Sequence, residues 1–430
     1  IQVKDSDGAG GTNPGDKSEL AVVVEVSGST LYLDRPLSRS YIGTITLTRV
    51  APVTNSGFIG IDALFVGQQT ANFYFPVKFQ WARNCYIRNC HFRGDPSNSW
   101  SRECINFRFA YRCVASDCTI SFGWYYAIGT TYDYGFSADG STECAWRNCH
   151  VSNTRHAFSA DRGSSGLIYY GCTSDNGTAG AFDLHGGFCT DITYAFCTAT
   201  ASDTRNSDGQ KQGFIAGNTS YVSGVSHITY IGCVVRAYGA YTPNGSGSAD
   251  GDGIGFCIVD GASNIRIIDC KVYDSMYGIY IESAATPSHT PGGAPISDVV
   301  VQGCEFNNIN IGGAPLPWIT KLISGGAHAI SDIHFRDNTI VNNTLTASAR
   351  LYGATGNPIP GLVVENNTWR GPGVAGVFPL DIRDCTAPLV DGNKFVATRR
   401  GVTLQNSPGA VVAGNTFFKL VDGASASNIV

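Results

Sequence analysis

Short apolar runs rich in β-branched and aromatic residues recur along the whole chain, each broken by Gly, Asn, Asp or Ser. No segment keeps a helical apolar period long enough to matter, so the pattern predicts strands joined by turns. Aligned on itself, the chain yields one repeated strand, seen in "CYIRNCHF", "CVASDCTI", "CAWRNCHV", "IRIIDCKV" and "LVVENNTW". Its shared position falls at Cys90, Cys118, Cys149, Cys172, Cys197, Cys233, Cys270 and Cys304, then at Asn338, Asn367, Asn393 and Asn415. Neighbouring copies lie from 22 residues apart (Asn393 to Asn415) to 37 (Cys233 to Cys270). A repeat of that length built from strands alone predicts a solenoid in which each turn lies on the last and equivalent residues stack about 4.8 Å apart.

The stacked position explains the cysteines. An odd total of 15 in a chain of 430 residues is not a secreted disulfide framework. Cys is small and tolerates burial, which suits an interior column, and Asn suits a ladder whose amides bond to their own kind. The change from Cys to Asn after residue 304 reads as one column changing its lining. Pairs such as Cys85 and Cys90 lack zinc-type spacing. Residues 5–16, "DSDGAGGTNPGD", lack the closing Glu of a calcium loop, so no metal site is expected.

With these repeats the chain resembles the right-handed parallel β-helix proteins of the pectate lyase-like superfamily over roughly residues 60 to 430, and within them the tailspike-type polysaccharide depolymerases of bacteriophages. The resemblance implies an all-β, right-handed parallel β-helix solenoid of about twelve rungs. It also implies a polysaccharide substrate, no cofactor and a parallel homotrimer. Residues 1–60 are expected to form short strands capping the first edge, and 61–430 the coil. A ladder of free thiols suits folding in a reducing cytosol before release, hence an extracellular or virion-surface protein.

A second column carries the candidate chemistry. The strands "CINFRF", "YAIGTTY", "HAFSADR", "AFDLHGG", "GFIAGNT", "GFCIVDG" and "YGIYIES" register on Ile105, Ile128, Phe158, Phe182, Phe214, Phe256 and Ile279 as inward residues. Alternation then turns Asn106, Gly129, Ser159, Asp183, Ile215, Cys257 and Tyr280 outward, followed by Arg108, Thr131, Asp161, His185, Gly217, Val259 and Glu282. Asp161, Asp183 and His185 thus form a polar cluster on one sheet, with Asp161 and Asp183 diagonal across two rungs. Hydrolysis of a glycan needs two carboxyls flanking one linkage, ~5 Å apart for retention and ~6.5 to 9.5 Å for inversion. Asp208, Asp250 and Asp252, in long loops at the rim, are further candidates for the second carboxyl. Arg155 and His156 sit at the matching edge one rung before Asp183, and Trp124, Tyr125, Tyr132 and Tyr134 offer faces on which sugars stack. The apolar Ile215, Cys257 and Val259 imply that this part of the sheet is covered.

Three functions fit the pattern: an endo-acting glycoside hydrolase, a uronate lyase or epimerase with His185 as base and Arg108 or Arg155 neutralising the carboxylate, and a non-catalytic glycan-binding fibre. The bland alternative for Asp183 and His185 is a salt-linked ladder kept for solubility. A net charge of -5 without a basic run argues against nucleic acid. No apolar stretch approaches the ~20 residues that span a bilayer, so no membrane insertion is expected. With Ile1 first and Met276 the single methionine, a trimmed N-terminus is expected.

Overall fold

The computed structural model describes residues 1–5, 18–38, 44–65, 77–94, 103–121, 134–177, 180–184, 187–201, 212–217, 224–237, 253–259, 261–275, 277–284, 295–309, 318–325, 329–341, 348–353, 358–371, 380–398 and 401–418. These form three long parallel sheets of 13, 13 and 12 strands, and each turn of the chain adds one strand to each sheet. The first turn supplies Gly57–Ile59 to sheet 1, Asp62–Phe65 to sheet 2 and Val77–Gln80 to sheet 3. Val402–Gln405, Val411–Ala413 and Thr416–Phe418 close the other end.

The corner from sheet 1 to sheet 2 shows why the repeat is written as it is. One residue there takes the left-handed conformation in every rung, as at Asn89, Asp117, Asn148 and Gly171, with φ of 50, 53, 50 and 61°. Asn, Asp and Gly reach that region at least cost. The next residue turns back into the interior and is the cysteine or asparagine of the repeat. Cys118 Sγ donates to the Ser116 carbonyl at 3.1 Å, and its neighbours up the ladder bond in the same way. Where the ladder changes type, the Cys304 amide donates to Asn338 Oδ1 at 2.9 Å. From there Asn338 Nδ2 donates to Asn367 Oδ1 and Asn367 Nδ2 to Asn393 Oδ1, at 2.9 and 3.0 Å. All fifteen cysteines are buried and free.

Beside the ladder the interior holds two aromatic columns. Phe136, Phe158, Phe182, Phe214 and Phe256 from sheet 3 stack at 4.6 to 5.4 Å between ring centroids. Trp146, Tyr169, Tyr194 and Tyr230 from sheet 1 stack at 4.6 to 5.1 Å. The columns meet edge to face, as Phe182 does Tyr194 at 5.7 Å. Strand spacing sets these intervals, and each ring pair adds ~0.5 to 1.5 kcal/mol beyond the area it buries.

The amino-terminal segment meets the coil along its flank. Val53–Thr54 already pairs in parallel with Ala82–Arg83, so the coil begins ahead of residue 61. The described strands before it dock along the side of the coil: Leu20 N donates to Thr142 Oγ1 at 3.2 Å, and Arg35 and Arg112 both bridge to Glu143. Phe58, in the interior column below Ile87, stays 44% exposed at the first edge. Lateral docking suits the segment's charged residues, which find ion-pair partners on the coil's flank and none in an apolar end.

Candidate active site

Sheet 3 differs from the other two on its outer face. Arg88 and Arg147 on sheet 1 and His91 and Arg93 on sheet 2 are exposed, whereas Asn106, Ser137, Ser159, Asp183, Cys257 and Tyr280 on sheet 3 are buried. Its strands also break strict alternation once. A side chain added at Gly135 would meet Val151 in the interior, and Phe136 beside it points inward too. The same doubling occurs at Ala157 and Phe158. The residue before the doubled pair is thereby returned to the outer face, which is where Tyr134 and His156 lie.

The pairing corrects one step of the sequence register. Ile105 pairs with Phe136, Asn106 with Ser137 and Arg108 with Asp139, so the rung between Arg108 and Asp161 is Tyr134–Asp139 and not the stretch around Ile128, Gly129 and Thr131. Apolar alternation is too common in this chain to choose between the two. The identical "FSAD" at 136–139 and 158–161 is the signal that distinguishes them, and it adds an unforeseen carboxyl, Asp139, in register with Asp161. The register of Phe158 with Phe182 and of Ser159 with Asp183 is as expected.

Two groupings result. In the first, Asp139 and Asp161 are Cα partners on adjacent strands, about 4.8 Å apart. Asp139 is buried, while Asp161 is half-buried and accepts from the Arg162 amide at 2.6 Å. Burial, and after it the charge of Asp161, hold the Asp139 carboxyl above its ordinary range; Arg162 and Arg108 pull it part of the way back, as does a hydrogen bond from Asn106. In the second grouping, His156 Nδ1 lies 2.8 Å from Asp183 Oδ2 and 3.0 Å from the Gly180 carbonyl. Both partners are acceptors, so Nδ1 carries a proton. Tyr134 stacks on the imidazole at 4.8 Å, and Arg155 Nη1 donates to the Tyr134 hydroxyl at 3.4 Å. Asp161 and Asp183 stand diagonally, with Cα atoms about 8 Å apart from strand rise and spacing.

His185, Asp208, Asp250, Asp252, Trp124, Tyr125 and Tyr132 lie outside the described residues. Beyond Asp183 the outer face turns apolar: Ile254, Cys257, Val259, Tyr277 and Tyr280 form a buried cluster against which Ile215 and Tyr352 pack. At its margin the Tyr280 hydroxyl donates to Glu282. Among the described residues, no three His, Cys, Asp or Glu side chains are grouped to hold a metal ion, and no helix is long and apolar enough to cross a membrane. A cavity of about 420 Å³ lies elsewhere, between the amino-terminal strands and Trp81, Phe109 and Tyr111. Its lining is mostly apolar and contains none of the carboxylates above.

Residues 252–428 match the family model described as "Right handed beta helix region". Comparison with curated protein sequences gives no significant match. Among solved structures, the surface protein and adhesin PfbA of Streptococcus pneumoniae superposes with a TM-score of 0.56 at 11% identity, over 78% of this chain and 89% of that one. The catalytic domain of a GH87 α-1,3-glucanase in complex with nigerose gives 0.55 at 13% identity, over 87% of this chain and 62% of that one. The tailspike protein gp49 of Pseudomonas phage LKA1 gives 0.41 at 15% identity, over 96% and 60%. At these identities the likeness is one of fold: the chain is a right-handed parallel β-helix, and it spans under two thirds of the glucanase domain.

Proposed function

We propose that the chain is an endo-acting glycoside hydrolase that cleaves a surface or extracellular polysaccharide on the outer face of sheet 3. The observation that carries this reading is Asp139 and Asp161 on adjacent rungs, with the Asp139 carboxyl held protonated to higher pH by burial and by its neighbour. In this scheme Asp139 donates its proton to the glycosidic oxygen as the bond to the anomeric carbon breaks, and the Asp161 carboxylate captures that carbon. Water then cleaves the ester while Asp139 takes up the proton. A rung spacing of about 4.8 Å between the two Cα atoms suits this double displacement, in which the carboxyls stand ~5 Å apart, with retention. Asp183, fastened by His156, is the third carboxyl at the same surface, and Arg108, in register with Asp139, tempers its proton affinity. A fold neighbour that is a glucanase bound to a disaccharide supports a glycan as the ligand.

A second reading is a glycan-binding surface protein without catalysis. Asp139 and Asp183 are only 8% and 1% exposed, which suits structural carboxyls, and another fold neighbour is an adhesin. Digestion of a polysaccharide panel, neutral and uronate-containing, by wild type, Asp139→Asn and Asp161→Asn tests both readings. New reducing ends lost in both variants support hydrolysis. Ultraviolet-absorbing unsaturated products transfer the case to elimination, with His185 as the candidate base. Retention of a polysaccharide that stays intact supports the adhesin. A parallel homotrimer is part of the proposal, and light scattering gives its mass.

A further inference from the structure

The corner between sheets 1 and 2 is filled in every rung by Gly, Asn or Asp except at one place, where Phe196 takes the left-handed conformation with φ of 55°. A bulky side chain there costs on the order of 1 kcal/mol or more. Other aromatic residues share that region of backbone space, but Trp81 and Phe109 stack on each other at 4.6 Å and are half-buried. Phe196 is 57% exposed, so neither backbone preference nor burial accounts for it.

Its surroundings frame the ring. On the next rung stands Gly232, where an added Cβ would lie 2.7 Å from carbons of the Phe196 ring, so one part of the ring rests over bare backbone and the remainder faces solvent. Tyr170 meets Phe196 edge to face, with centroids 5.7 Å apart and planes at 78°. Tyr170 and Ile168 beside it are also exposed, at 49% and 44%. Polar groups border the patch: Arg147 is exposed in register with Tyr170, and Asn148 is exposed on the same corner as Phe196, two rungs or about 10 Å away.

We propose that Phe196 and Tyr170 form a second glycan-holding site, on a different face from the carboxylates, that stacks one or two pyranose rings of the polysaccharide. The patch amounts to three apolar side chains, far short of the roughly 20 to 30 residues a side that a stable protein interface uses. An aromatic platform edged by Arg and Asn fits a ring that is apolar on its faces and hydroxylated at its rim. The inference rests on the glycan ligand of the proposed function and not on cleavage.

The test is native electrophoresis through gels containing dextran, a mixed-linkage β-glucan, xylan, pectin or alginate, run in an Asp139→Asn background so that the gel survives. Addition of Phe196→Gly or Tyr170→Ala should weaken retardation roughly three- to tenfold, as the loss of one aromatic contact implies. Phe196→Trp should retain it, and cleavage of short oligosaccharides by Phe196→Gly alone should equal wild type. Phe196→Gly should not lower the unfolding midpoint, which separates lost binding from lost folding. Undiminished retardation in Phe196→Gly would overturn this inference alone. So would a fall in oligomer mass by light scattering, which would make the patch a contact between copies. A wild type that neither cleaves nor is retarded by any polysaccharide would overturn it together with the function beneath it.

Discussion

His156 and Asp183 come from successive rungs of sheet 3, and they meet across the rung interval with Nδ1 2.8 Å from Oδ2, both side chains almost wholly buried. Gly180 stands beside the pair, its carbonyl 3.0 Å from the same Nδ1. Deleting one partner of a buried ion pair strands the other charge, at a cost of about 3 to 5 kcal/mol. His156→Ala is therefore expected to lose that much in urea unfolding. Asp183→Asn keeps an oxygen facing the Nδ1 proton and should lose less. Equal losses in the two variants would show that the carboxylate charge, and not the hydrogen bond alone, holds the pair.

Asp139 gives the protein a pH dependence of definite sign. Its folded carboxyl titrates above the unfolded value, so between the two the native state holds the extra proton and stability falls as pH rises. Asp139→Asn is expected to match wild type in thermal midpoint below about pH 4, near the unfolded value, and to exceed it at pH 7. A midpoint difference that does not change with pH would remove Asp139 from the account.

The same carboxyl should set the alkaline limb of activity. An acid catalyst works while protonated, so turnover should fall as pH rises through the Asp139 value. Arg108 holds that value down, and Arg108→Gln should shift the alkaline limb upward in a pH-rate profile of kcat. A limb that stays in place would assign the acid to another residue.

The interior was far more legible than the site, and particular residues show why. Cys118, Cys149 and Cys172 repeat because each stacks on the last, so a one-letter pattern reports a three-dimensional column. Asp139 is hidden in the sequence because apolar alternation alone admits Ile128 as the inward residue, whereas the strand of that rung is Tyr134–Asp139. Strict alternation from Phe158 turns His156 inward, which hides its role in the sequence; the doubled inward pair Ala157 and Phe158 returns it to face Asp183. Phe196 was visible as "AFC" among copies reading "RNC", "SDC" and "YGC", yet only the left-handed backbone gives that departure a physical weight.

The thiol ladder should be chemically silent. All fifteen cysteines are buried, and burial pushes thiols such as Cys104, Cys257 and Cys385 up, the last to about 12. A disulfide reagent must reach the sulfur, so at neutral pH it should find no thiol in the folded protein and fifteen in denaturant. A fast-reacting subset in the native state would mean that some rungs open.

The asparagine ladder ties adjacent rungs through both side-chain and backbone atoms. Asn367 Oδ1 accepts from both the Asn338 amide and Asn338 Nδ2 at 2.9 Å, while Asn367 Nδ2 donates to the Phe335 carbonyl and to Asn393 Oδ1 at 3.0 Å. Asn367→Leu leaves the Asn338 amide and the Phe335 carbonyl without these bonds inside an apolar core. Each stranded group costs about 1 to 3 kcal/mol, so a loss of about 2 to 6 kcal/mol is expected in equilibrium unfolding. Asn367→Cys should lose less, because a thiol at this position can donate to the carbonyl two residues back, as Cys304 does to Gln302 at 3.4 Å. If Leu and Cys cost the same, shape and volume govern the column; if Cys is milder, its hydrogen bonds do, and the switch from Cys to Asn after residue 304 exchanges one bonded ladder for another.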